Sequence, residues 1–134
     1  MSGSKTRTMP EMTTHDPIAT LRAWCADLAG EYKEAATALS SAADKLEAER
    51  LASQAARAVL SSMRAALGLT APHAVSLAGP LAVRLRELED RERAARAVEL
   101  RAAAAVTAAE AQVAEIEAAI AQLDELLQQL AEAA

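Results

Sequence analysis

Residues 112–130 read QVAEIEAAIAQLDELLQQL. Val113, Ile116, Ile120, Leu123, Leu127 and Leu130 follow one another at intervals of three and four, with polar or small residues between them. That spacing puts all six on one stripe of an α-helix, whereas a strand would need a period of two. The series runs backward without a phase break through Ala109, Val106, Ala102, Glu99, Ala95, Glu92, Leu88 and Leu85 to Leu81, and only Glu92 and Glu99 interrupt its apolar character. Upstream, Ile18, Leu21, Cys25, Leu28, Tyr32, Ala35, Leu39, Ala42, Leu46, Glu49, Ser53, Ala56, Leu60, Met63 and Leu67 form a second series, broken by Glu49 and Ser53. A seven-residue repeat held this long is the pattern of a left-handed coiled coil.

Local signals bound each run. Asp16 is placed to cap a helix that opens on Pro17, where the missing N–H costs nothing, and Gly68 is placed to close it in the left-handed conformation. Gly79-Pro80 opens the second run in the same way. The expected fold is therefore all-α: a long antiparallel two-helix hairpin with helix 17–67, turn 68–79 and helix 80–131. At 1.5 Å per residue each arm would span about 75 to 80 Å. Residues 1–15 hold too little apolar surface to offset their ordering entropy and read as a disordered tail. The connection has room for one short helical turn.

Folding the arms together with Leu67 beside Leu81 makes partners sum to 148. Every a position then meets a d position. Leu39 faces Ala109, Ala35 faces Val113, Ala42 faces Val106 and Leu46 faces Ala102, so large meets small in successive layers. Leu28 meets Ile120, Cys25 meets Leu123, Leu60 meets Leu88 and Met63 meets Leu85. The same alignment sets Arg22 near Asp124 and Arg57 near Glu89. It also gathers the polar breaks Glu49, Glu99, Ser53 and Glu92 in one region, with Arg50, Arg57 and Arg96 near enough to neutralise the carboxylates.

Composition narrows the functional classes. Hydrophobic residues make up 52% of the 134-residue chain. More than half of them are alanine, and Trp24 and Tyr32 are the only aromatics. Alanine favours helix but buries little area, so the chain suits slim helices at close range rather than a thick core. No run approaches the twenty apolar residues a membrane span needs, and the N-terminal residues lack the apolar segment of a secretory signal. A cytoplasmic location, or one inside a phage particle, is expected. Arginine and alanine richness suggests a GC-rich bacterial or phage genome.

Catalytic and cofactor motifs are not found. Glycine loops for phosphate, nucleophile elbows and zinc-type Cys/His spacings do not occur, and the carboxylates of the seam lack the Glu-x-x-His partner of a di-metal bundle. His15 and His73 fall in the tail and the turn. Cys25, the single cysteine, occupies an a position as a small buried hydrophobe. No catalytic residue, cofactor or metal ligand is assigned, and the chain is read as not an enzyme.

Two surface features remain. Positions g carry Trp24, Val59, Val98 and Leu126 along with several alanines, which widens the apolar stripe beyond what one partner helix covers. These four residues are the candidate docking stripe, and a second copy is the expected partner, giving a homodimer organised as a four-helix bundle. Further apolar residues, Leu51, Leu69 and Leu100, lie off the seam. The other feature is charge. Residues 50–101 hold nine arginines against five acids, while 102–134 hold six acids and no base. Arg91, Arg93, Arg96 and Arg101 are candidate phosphate contacts, although interleaved acids make a solvated face the favoured reading.

In outline the chain is similar to the WXG100 secreted proteins, which are small Ala-rich helical hairpins. Their Trp-x-Gly turn motif is missing, since Trp24 is followed by Cys25 and Ala26, and no residue role is carried over. The expected function is a non-enzymatic protein–protein interaction or scaffold component of a bacterial or phage assembly. The alternative is a nucleic-acid-associated accessory protein using the arginine-rich half.

Overall fold

The computed structural model describes residues 16–68 and 79–133. Two helices, α1 (Pro17–Ala66) and α2 (Pro80–Ala133), pack against each other, and the described residues contain no strand. α1 ends at Ala66, where the sequence led us to expect 67, and α2 continues past the expected 131 to Ala133. The tail 1–15 with His15, and the span 69–78 with His73, Leu69 and the expected short helical turn, lie outside the described residues.

The helix ends carry the chemistry their sequences call for. Ala19 N–H donates to Asp16 Oδ1 at 3.1 Å, which satisfies one of the donors left open at a helix start. At the other end Gly68 has φ +68° and its N–H donates to the Ala65 carbonyl at 3.0 Å, the closing bond of a glycine cap. Gly79, at φ +71°, turns the chain into α2, and its carbonyl accepts from Val83 N–H at 3.1 Å. Gly30 lies mid-helix with open space where a side chain would sit. It costs α1 roughly 1 kcal/mol relative to alanine, and seven heptads absorb that.

Packing divides the hairpin into two units. An open-end unit joins the stretch of α1 up to Ser40 to the stretch of α2 from Ala108, and a turn-end unit runs from Ser41 to Thr107. In the open-end unit Leu21, Leu28 and Leu123 are buried together, with Trp24, Cys25, Ile120 and Leu127 packed against them. Tyr32 Oη donates to Glu117 Oε2 at 3.3 Å, and Cys25 lies within electrostatic reach of Asp124. Rising numbers on α1 thus meet falling numbers on α2, which is the antiparallel arrangement.

The turn-end unit repeats this order. Leu60, Leu85 and Leu88 form its buried cluster, with Met63 against them. Arg50 reaches Glu99 at 3.8 Å, Arg57 reaches Glu92 at 4.0 Å and Arg64 reaches Glu89 at 2.8 Å. Tyr32–Glu117, Arg50–Glu99 and Arg57–Glu92 each sum to 149, one away from the register expected from the sequence. Ala102 is buried, as the large-to-small layer with Leu46 requires.

Among the described residues every buried side chain occupies an a or d position. Two expectations need correction. Leu81 is a d residue yet 50% exposed, because in the first turn of α2 it stands opposite the point where α1 has already ended. Glu89 pairs with Arg64 and not with Arg57. The Arg57 guanidinium instead donates to Ser53 Oγ at 3.3 Å and lies beside Glu92, so the ion pair is offset by one heptad on α1.

Candidate docking groove and arginine face

The two flanks of the seam differ because the residues beside it differ. On the g side, Trp24 and Leu126 of the open-end unit line a groove of about 510 Å³ with Leu28, Ala119 and Leu123. Gln122, Glu125 and Gln129 form its polar rim. Leu126 is 46% exposed, a large aliphatic side chain left in water at the edge of an indole. The structure therefore brings two of the four candidate stripe residues together.

Val59 sits separately, in the turn-end unit. It is 52% exposed and borders two shallow depressions, one shared with Ala55, Leu88 and Arg91 and the other with Ser62 and Met63. Val98 is half-buried in the same unit. Both units thus present apolar surface at g, and each patch has a charged residue at its rim: Glu125 in the first and Arg91 in the second.

The opposite flank of the turn-end unit is polar. Arg57 and Arg64 from α1 converge with Arg93 and Arg96 from α2 on a groove of about 460 Å³ that also holds Glu89 and Glu92. Of the four candidate phosphate contacts, Arg93 and Arg96 lie here, Arg91 lies beside Val59, and Arg101 is exposed but lines neither groove. Reading α2 alone missed Arg57 and Arg64. The signal was available in the register, which sets these e positions of α1 against the e positions Glu89 and Arg96.

The four guanidiniums of this groove are partly offset by Glu89 and Glu92. Glu92 is 6% exposed and its carboxylate accepts a two-pronged contact from the Arg96 guanidinium, with Nε at 3.1 Å. That hydrogen bonding holds the Glu92 carboxyl below the usual carboxylate range against the opposing effect of desolvation, with Arg57 and Arg93 helping. Arg96 is correspondingly pushed up by Glu92. Arg93 pairs with Asp90 at 2.9 Å. Each arginine of the face has a carboxylate beside it.

Because the folded Glu92 titrates lower than it does in an unfolded chain, the ionised pair contributes stability above the ordinary carboxylate range. That contribution disappears as the pH falls through the folded value. Acid unfolding followed by circular dichroism should therefore show Glu92→Gln losing less stability than the parent between pH 6 and pH 3. An unchanged acid slope in that variant would refute the assignment.

Cys25 is half-buried, and desolvation, with Asp124 adding to it, pushes its thiol up from the ordinary value. A protonated thiol is a poor nucleophile at neutral pH, which fits a packing role. No group of three or more His, Cys, Asp or Glu side chains among the described residues is arranged to hold a metal ion. No helix among them is long and apolar enough to cross a membrane. No protein family, curated protein or solved structure matches this chain.

Proposed function

We propose that this chain is a non-enzymatic interaction protein whose hairpin pairs with a second copy into a four-helix bundle and serves as a scaffold or structural component of a bacterial or phage assembly. The observation that carries this reading is the exposed apolar flank. Leu126 in one unit and Val59 in the other stand in water at g positions, and in the turn-end unit the flank opposite Val59 is laced with ion pairs. A hairpin that needed no partner would place polar residues on both sides of its seam. The open grooves do not enclose a small substrate, which favours a docking role over catalysis. The bacterial or phage setting rests on the arginine- and alanine-rich composition.

Replacing Val59, Val98 and Leu126 together by glutamate should convert a dimer to a monomer at tens of micromolar while leaving most far-UV helicity in place. Two of the three are about half exposed, so their charges disturb an intermolecular contact more than the hairpin itself. Light scattering that finds the parent chain monomeric at that concentration would sink the reading.

A nucleic-acid role is the second reading, favoured by the convergence of Arg57, Arg64, Arg93 and Arg96 from two helices. Against it stand the carboxylates that already pair with these side chains and the lack of aromatics for base stacking. A submicromolar DNA complex at 150 mM salt, lost when these four arginines become alanine, would promote it over the first.

A further inference from the structure

We propose that the second copy docks head to tail, so that the Trp24/Leu126 groove in the open-end unit of one protomer receives the Val59 face in the turn-end unit of its partner. This rests on the dimer reading above and specifies its arrangement. Each protomer offers both surfaces, so each can give one and receive the other.

Charge decides between this arrangement and a parallel one. Within residues 16–40 and 108–133 the open-end unit carries ten carboxylates and two bases. The turn-end unit, residues 41–107, carries ten bases and eight carboxylates. Parallel docking would lay one strongly acidic unit on another. Head-to-tail docking sets each acidic unit against a net-basic one.

The rims of the two apolar patches repeat this complementarity at single residues. Glu125 borders the groove of Trp24 and Leu126, and Arg91 borders the depression beside Val59. When the patches meet, each buries the other's exposed aliphatic side chain, and the two rim charges face with opposite sign. The arrangement also explains why the g side is apolar in both units: each unit supplies half of a contact that neither completes alone.

The test uses the full chain in a Cys25→Ala background, with Leu126→Cys in one preparation and Val59→Cys in the other. Both positions are about half exposed, and far-UV circular dichroism verifies that each variant folds. Mixing the two and oxidising should give a disulfide-linked heterodimer, while neither preparation cross-links by itself. In parallel, Glu125→Arg and Arg91→Glu should each weaken the dimer about tenfold in sedimentation equilibrium, and the double variant should recover most of that loss.

Cross-linking of Leu126→Cys to itself, or a dimer strengthened by Glu125→Arg alone, would overturn the head-to-tail arrangement and leave a parallel dimer. A dimer that cross-links in none of the mixtures would overturn it in favour of another face. A monomeric parent chain would overturn the dimer itself, which separates the failure of that reading from the failure of this one.

Discussion

Leu28→Ala should cost the fold about 2 to 5 kcal/mol, the range expected when a buried leucine is truncated and its surroundings only partly relax. Leu28 is 3% exposed and belongs to the cluster with Leu21 and Leu123. Urea unfolding monitored at 222 nm gives the comparison directly. Leu100→Ala is the control: that side chain is 65% exposed, so its loss should change stability by no more than about 0.5 kcal/mol. Equal effects at the two positions would show that the buried stripe has been assigned to the wrong face.

Joining the arms covalently should have an effect of similar size and opposite sign. Cys25 packs against the cluster that contains Leu123, so Leu123→Cys supplies a partner across the seam. The bridge would close a loop of about 100 residues, for which chain-entropy arguments give roughly 4 to 5 kcal/mol. Comparing oxidised and reduced forms of the same variant removes the cost of the lost leucine from the measurement. The raised Cys25 thiol makes oxidation slow at neutral pH, so the reaction belongs at mildly alkaline pH. Leu85→Cys should give no bridge within one chain, because Leu85 belongs to the buried cluster of the other unit. Cross-linking at Leu85 in place of Leu123 would contradict the antiparallel register.

The seam itself was legible because helical periodicity is a local property. Whether a residue faces the partner helix depends on its place in a repeat of seven, and that place can be counted along the chain. Asp16, Pro17, Gly68, Gly79 and Pro80 marked the boundaries for equally local reasons, since each acts on the backbone within one turn. The register followed from one further assumption, a hairpin turn between Gly68 and Gly79, and pairs such as Tyr32–Glu117 and Arg57–Glu92 fall one away from it.

Other features depend on how far long side chains reach across the seam. Arginine spans more than one helical turn, so Arg64 takes Glu89 and leaves Arg57 to Glu92 and Ser53. No count of positions along one helix separates these choices. The candidate phosphate contacts show the same limit: read from α2 alone they formed a run, yet in space Arg93 and Arg96 join Arg57 and Arg64, and Arg91 joins Val59.

By itself the sequence determined two helices and the residues that line their seam, because periodicity is settled within a few residues of chain. Only the tertiary structure decided that Leu81 stands in solvent, that four arginines from two helices share one face, and that Trp24 and Leu126 border a single groove. Each of these depends on where a second helix ends and how closely it approaches, and a one-dimensional repeat carries no such information.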